Sequence, residues 1–343
     1  MQSPLISIIT VVFNGEKTLE RCIQSVINQT YTNIEHIIID GGSTDGTLDI
    51  IKKYEDKISY WVSEPDKGIY DAMNKGIAWA TGDYIAFLNS DDEYTLKAIE
   101  LSVNEAVRTK AKITYALANI IDSKGQVIRQ YNKIDFDEIA LIAGNPSNHQ
   151  TMLIHRDCFT DVGQFNLAYR IAGDTELMLR LIKRKHSVCF IDQIIVNFYE
   201  GGISSSNLEA MWRENALALQ TCNPELTIDQ LHELSIFVLG YKYHFDKNCN
   251  YESIIAILDK NILSEYQKLF IQKRLKLWNE TVFKAYRKSH NDQPFHGYAT
   301  VRGKTLNQPE YNLGNQVINN CIRITNSHSI DGGLRKQQVY KSH

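Results

Sequence analysis

The 343-residue chain lacks the features that mark several broad protein classes. It has no apolar run approaching the roughly 18–20 residues that a membrane-spanning helix needs. Met1-Gln2-Ser3-Pro4 has neither a basic start nor an apolar core, so no signal peptide is expected. Net charge is only −3, so no basic field favours nucleic acid as a partner. The six cysteines, Cys22, Cys158, Cys189, Cys222, Cys249 and Cys321, form no CxxC or other metal-ligand spacing. They read as reduced thiols of a cytoplasmic protein, not as a disulfide framework or a zinc site. No GxGxxG or GxxxxGK[ST] loop follows the first apolar run, which weakens dehydrogenase and P-loop readings. No internal repeat is visible.

What remains is an ordinary globular composition, 43% hydrophobic and 22% charged, at a length that suggests about two domains. Leu5–Phe13, Ile34–Ile39, Ile58–Val62 and Tyr84–Leu88 are short apolar runs rich in branched residues, as in strands buried on both faces. Between them, Glu16–Gln29, Thr47–Tyr54 and Ile69–Ala80 carry apolar residues at helical spacing. Strand–helix alternation with short connections predicts an α/β fold with an open, mainly parallel sheet. In such sheets ligands bind beyond the carboxyl ends of the strands, where the strand order reverses. If the order is 3-2-1-4, that edge carries Asn14 after strand one, Asp40 after strand two, and Asp91-Asp92 after strand four.

Asp91-Asp92 is the stretch around which the rest is arranged. Paired carboxylates at the mouth of a buried strand need a positive partner. Mg²⁺ or Mn²⁺ bridging a diphosphate would supply one, because such ions take hard oxygen ligands and often use only one or two carboxylates plus phosphate. Asn89-Ser90-Asp91-Asp92 is equally good turn and helix-capping chemistry ahead of a helix over Tyr94–Val107.

Several segments then resemble one family in order. Ile8–Asn14 (IITVVFN), Asp40–Thr47 (DGGSTDGT), Asp66–Gly76 (DKGIYDAMNKG) and Gly82–Asp92 (GDYIAFLNSDD) resemble family 2 glycosyltransferases of the GT-A fold. Asn148-His149-Gln150 and Ala172–Leu177 resemble that family's acceptor-side segments, so the likeness covers about 4–205. The resemblance implies a Rossmann-like, mainly parallel mixed sheet over 1–205, with a nucleotide-sugar half to about 95 and an acceptor half after it. On matching positions it implies that Thr10, Val12 and Asn14 line the base pocket and that Asp40 binds the base and ribose. Asp91 and Asp92 form a DxD-like element, Asp92 on the metal and Asp91 on the donor sugar or ribose.

Asp66 and Asp71 would contact the nucleotide or order its pocket, and Lys67 would reach a phosphate. Asp71 equally suits a helix first turn, and Lys67 an exposed loop. Asp174 is the expected general base of an inverting displacement, with Glu176 as alternative; Asp174 also suits a helix N-cap. His149 has three readings: metal ligand, donor to the diphosphate, or satisfied core histidine. Gln150 would orient donor or acceptor.

Beyond 205 the pattern becomes helical. Met211–Leu219, Leu226–His244, Tyr251–Leu258 and Ser264–Ser289 are the expected helices of a 206–290 region, followed by an irregular tail over 291–343. The basic helix Ser264–Ser289 suits either a membrane surface or packing with a solvated basic face. Glu200-Gly201-Gly202-Ile203-Ser204 reads as a loop or a gate over the donor.

The implied function is metal-dependent, inverting transfer from a nucleotide-diphosphate sugar, UDP favoured, to a glycan or undecaprenyl-diphosphate-linked glycan. The implied setting is bacterial surface polysaccharide synthesis (O-antigen, capsule or exopolysaccharide) in the cytoplasm, with peripheral contact at the inner membrane. A sugar-phosphate nucleotidyltransferase and a non-catalytic nucleotide-sugar- or glycan-binding scaffold are the competing readings.

Overall fold

The computed structural model describes residues 3–130, 136–144, 148–202 and 207–240, with parts of 254–272 and 298–307. Its first compact unit runs from Met1 to Ser235. Strand β1 (Ile6–Val12) is buried along its whole length, as its unbroken branched-chain sequence requires. It pairs in parallel with β2 (Ile34–Asp40) on one side and β4 (Tyr84–Phe87) on the other. Beyond β2 lies β3 (Tyr60–Ser63), also parallel. The expected order 3-2-1-4 is therefore present, and it reverses between β1 and β4.

The sheet then continues as a mixed structure. β8 (Leu153–His155) enters antiparallel beside β4, and β6 (Ile113–Ile121) follows it. β6 is parallel to β9 (Val188–Tyr199) and antiparallel to the exposed β7 (Val127–Gln130), with which it forms a hairpin. The two-residue β5 (Glu93–Tyr94) closes the far edge against β9. β5 corrects the expected helix start: Tyr94 is buried in the sheet, and the helix α4 begins only at Ala98 (Ala98–Thr109).

Alternation along β1 sorts its side chains to two layers. Ile9 and Val11 join Ile37, Ile39 and the buried face of α3 (Ile69–Trp79). Gly76 of α3 lies so close to β1 that a Cβ there would stand 2.4 Å from the Ile9 side chain, so α3 can sit flat on the strand. Ile6 and Ile8 pack instead with Cys22 and Val26 of α1 (Leu19–Ile27) and with α4. The α2 helix (Thr47–Lys53) covers the adjacent corner through Ile51.

Three further helices complete the α3 side: α5 (Ala140–Ala143), α6 (Arg156–Val162) and α7 (Gly173–Lys183). Two more follow, α8 (Leu208–Gln220) and α9 (Ile228–Gly240). The first unit thus reaches thirty residues past the boundary expected near 205, because α8 and the start of α9 pack with α7 and α5. Lys183 of α7 bonds the Thr221 carbonyl at 3.0 Å, and Ser235 bonds that of Ala143 at 2.6 Å.

The second unit spans Ile236–His343. Its described parts include a helical stretch over 265–272 and an antiparallel hairpin of β10 (Tyr298–Val301) and β11 (Lys304–Asn307). That hairpin falls within the segment expected to be an irregular tail. The remainder of the basic helix expected to Ser289 and residues 203–204 of the loop or gate read over Glu200–Ser204 lie outside the described residues, as do 241–244 and most of Tyr251–Leu258. Among the described residues, no helix is long and apolar enough to cross a membrane.

Candidate active site

The carboxyl ends of β1 and β4 open onto a cavity of about 540 Å³. Val12, Asn14 and Gly15 line it from the β1 end, and Asn89, Ser90 and Asp91 from the β4 end. Asp66, Gly68 and Tyr70 approach from the α3 side, and His149, Asp174 and residues of α8 complete the lining. Val12, Asn14, Asp66, Asp91, His149 and Asp174 are thus brought together.

The loop after β1 is held by the loop after β2. Asn14 adopts a left-handed φ of 52°. Its backbone N–H donates to Ser43 at 2.7 Å, and its side-chain oxygen accepts from Thr44 N–H at 2.9 Å. Gly15 N–H donates to Thr47 at 2.8 Å. Asp40 anchors this assembly instead of lining the cavity. Its side chain is fully buried and accepts from the N–H groups of Gly42 and Ser43 and from the hydroxyls of Ser43 and Ser63. Thr10 also lies away from the cavity: its hydroxyl bonds His36 Nε2 at 3.0 Å on the α1 side of the sheet.

Lys67 is exposed and outside the cavity wall. Asp71, in the first turn of α3, accepts the Lys67 N–H at 3.0 Å and is outside the cavity lining. Asp66 does both things: it lines the cavity and accepts the Gly68 N–H at 2.8 Å.

The adjacent aspartates have opposite environments. Asp92 is 1% exposed; it accepts the Gln150 amide on one oxygen and the Tyr199 N–H at 2.7 Å on the other. Burial, reinforced by the Asp91 charge, pushes its carboxyl up to about 8. With both oxygens committed to the protein and no place in the cavity wall, Asp92 is a poor metal ligand, contrary to expectation. Gln150 is fully buried, and its side-chain oxygen accepts the Asn89 N–H at 2.8 Å. It orders the 89–92 turn, so it does not meet donor or acceptor directly.

Asp91 instead faces the cavity. Burial raises its carboxyl, opposed by a hydrogen bond from its own main chain and then by the charges of Arg21 and His149. Arg21 donates to the Asp91 main-chain carbonyl at 2.5 Å, with its guanidinium 3.6 Å from the Tyr199 ring centroid. Among the described residues no three His, Cys, Asp or Glu side chains converge into a protein-only metal cage. Asp91 alone fits a hard cation that takes its remaining ligands from a diphosphate.

Asp174 lies in the first turn of α7, whose N-cap is Ala172; Asp174 is not the cap itself. One carboxylate oxygen accepts the Thr175 N–H at 2.8 Å, with the Tyr70 hydroxyl at 3.4 Å; the other stands 3.2 Å from His149 Nδ1. The Tyr70 ring occupies the space where a Cβ on Gly173 would stand 2.7 Å away, so glycine there admits the ring beside Asp174. His149 Nε2 is buried without a partner. Glu176, the alternative base, is buried in an ion pair with Arg180 at 2.8 Å and is directed elsewhere.

Residues 7–164 match the family described as Glycosyl transferase family 2. The chain is 36% identical over 180 residues to an uncharacterized glycosyltransferase of Mycobacterium tuberculosis strain H37Rv, covering 52% of this chain and 69% of the relative. The chain belongs to the family 2 glycosyltransferases. Among solved structures, S. aureus TarS 1-349 in complex with UDP-GlcNAc shares 16% identity at a TM-score of 0.58, covering 89% of this chain and 96% of that one. A Pyrobaculum calidifontis mannosyltransferase in complex with GDP-Man and Mn²⁺ shares 11% identity at a TM-score of 0.54, covering 96% and 89% respectively. These likenesses establish the GT-A architecture of this family 2 member.

Sequence reasoning missed Tyr70, Arg170, Met211 and Asn215 in the cavity wall. Tyr70 sits inside the quoted Asp66–Gly76 motif and was legible as an aromatic on the α3 face. Nothing in sequence spacing ties Arg170 or α8 to the edge of β1.

Proposed function

We propose that this glycosyltransferase moves a sugar from a nucleotide-diphosphate donor, a UDP-sugar by preference, to a hydroxyl of a glycan or lipid-linked glycan, with inversion at the anomeric carbon. The observation that carries this reading is the placement of Asp91 and Asp174 in the lining of one cavity at the reversal of strand order. Val12, Asn14 and Asp66 form the nucleotide end in this reading. A neighbour of the same fold solved with UDP-GlcNAc supports the donor class, and one solved with Mn²⁺ supports a divalent ion.

Asp91 would hold Mn²⁺ or Mg²⁺ together with the donor's phosphates. The bound ion would neutralise charge on the leaving nucleoside diphosphate. Asp174 takes the proton of the attacking acceptor hydroxyl, which is barely ionised at neutral pH. Its two oxygens are oriented by Thr175 N–H and His149 Nδ1, and each keeps a lone pair for that proton. His149 thus acts as an orienting group rather than a core histidine. Family membership weighs against a nucleotidyltransferase or a non-catalytic scaffold. Bacterial surface polysaccharide assembly at the cytoplasmic face of the inner membrane is the setting we favour, by resemblance alone.

The test is a mass-spectrometric donor screen on the full chain with Mn²⁺ and a panel of glycan acceptors. Asp174→Asn is expected to lower kcat by about 10²–10⁴-fold with UDP affinity retained. Retained turnover in Asp174→Asn would refute the base assignment, and lack of transfer from any nucleotide sugar by the unaltered chain would refute the reaction.

A further inference from the structure

Part of the cavity lining comes from residues outside the segment matched to the family. Helix α8 contributes Met211 and Asn215 to the lining. Between them along the helix, Glu214 accepts the backbone N–H groups of Arg170, Ile171 and Ala172 at 2.8–3.1 Å. This clamp fixes the main chain that carries the Arg170 side chain to the same cavity.

Arg170 is the only lysine or arginine among the described lining residues, which also include Asp66, Asp91 and Asp174. None of the ion pairs among the described residues engages its guanidinium. Asn215 Oδ1 is buried without a hydrogen-bond partner. A buried amide oxygen left unpaired is costly, so a site that keeps one is made whole by a ligand that donates to it. An unpaired guanidinium fork matches a carboxylate or phosphate through two parallel bonds.

Resting on the reaction proposed above, we infer that Arg170 and Asn215 form an acceptor subsite for a glycan bearing an acidic group, a carboxylate or a phosphate, near the hydroxyl that is glycosylated. Asn215 receives a neighbouring hydroxyl or amide proton. The subsite lies beside Asp174, where the attacking hydroxyl must sit, while the donor's diphosphate belongs with Asp91 at the end of β4. The acidic group has two possible sources, an acidic sugar or the phosphate of a lipid-linked acceptor, and the probes below separate them.

The full chain saturated with UDP and Mn²⁺ is titrated by ligand-observed NMR with glucuronic acid, glucose 1-phosphate and glucose. At least one acidic probe should bind about tenfold more tightly than glucose, the size of one charge-assisted pair. Preference for glucuronic acid assigns an acidic sugar, and preference for glucose 1-phosphate assigns a phosphate. Arg170→Gln should erase the preference, Arg170→Lys should restore part of it, and Asn215→Ala should weaken all three probes, with UDP affinity unchanged throughout. Equal binding of the three probes to the unaltered chain would overturn the subsite. So would a tenfold loss of UDP affinity in Arg170→Gln, which would assign the guanidinium to the donor. Failure of the unaltered chain to bind UDP is a separate result and sinks the parent reaction instead.

Discussion

Two regions at the cavity satisfy their polar groups in opposite ways. At the tips of β1 and β2 the polar side chains close on themselves: Asp40 binds its own loop, Asn14 binds Ser43 and Thr44, and Asp45 binds Thr47 and Glu16 N–H. In the rest of the lining, Asn89 Oδ1 at the end of β4, His149 Nε2 and Asn215 Oδ1 on α8 are buried with no partner. Folding rarely leaves buried polar atoms unpaired, because each costs about 1–3 kcal/mol. The first region is closed on itself, and the second leaves polar atoms free to meet a ligand. Acidic or amide identity does not separate the two; the partners do.

Asp91 and Asp92 compress that comparison into adjacent positions, and replacing each in turn gives the largest expected effects. Asp91→Ala should lower transfer by about 10³-fold through lost stabilisation of the leaving diphosphate, with the melting temperature unchanged. Asp92→Ala should instead destabilise the fold, because the buried Gln150 amide and Tyr199 N–H lose their acceptor at about 1–3 kcal/mol each. Thermal melting and Mn²⁺-dependent UDP binding measured on both variants check this. A stable Asp92→Ala protein that has lost metal-dependent binding would return the metal to Asp92.

A smaller effect is expected from the Glu214 clamp, which belongs to the scaffold in chemistry but lies on the ligand side. Glu214→Ala frees the N–H groups of three successive residues just ahead of Asp174. Misplacing a catalytic group by about 1 Å can cost on the order of 10²-fold in rate. The expected result is a fall in kcat of up to about that size, with UDP affinity unchanged. A change confined to the melting temperature would make the clamp purely structural.

Much of this was legible from local sequence. The branched runs gave β1, β2 and β4, and the residues ending them fixed which edge carries the chemistry. Asn14 and Asp91 reach the cavity lining because they follow strand ends, whereas Asp174, in the first turn of α7, was singled out by the motif alone. The expected site residues that fall outside the cavity lining share a feature. Thr10, Asp40 and Asp92 have the right chemistry beside the right strands, but their side chains are held by other protein groups: His36 for Thr10, its own loop and Ser63 for Asp40, Gln150 and Tyr199 for Asp92. A strand pleat decides between cavity and core within one residue, and such bonds leave no local signature. The α8 wall was unreadable for the same reason, since Glu214 meets Arg170 across 44 positions.

The core side of β1 offers the smallest and most specific measurement. His36 is buried on β2, bonded through Nε2 to Thr10, with Nδ1 unpartnered. Burial pushes its imidazole down to about 4 from an ordinary 6.5. Below pH 6.5 the unfolded chain therefore takes up a proton that the folded chain refuses until about pH 4. The stability due to neutral His36 is complete above pH 6.5 and is lost as pH falls toward 4, at about 1.4 kcal/mol per unit. Urea unfolding at several pH values across that window should show this slope over the contribution of other groups, and His36→Gln should remove it. Mn²⁺-dependent UDP affinity at pH 7 should be the same in His36→Gln and the unaltered chain, because the Thr10–His36 pair supports β1 from the side away from the cavity. An equal slope in both proteins would show that His36 titrates near its ordinary value, and a loss of UDP affinity would join Thr10 to the nucleotide pocket after all.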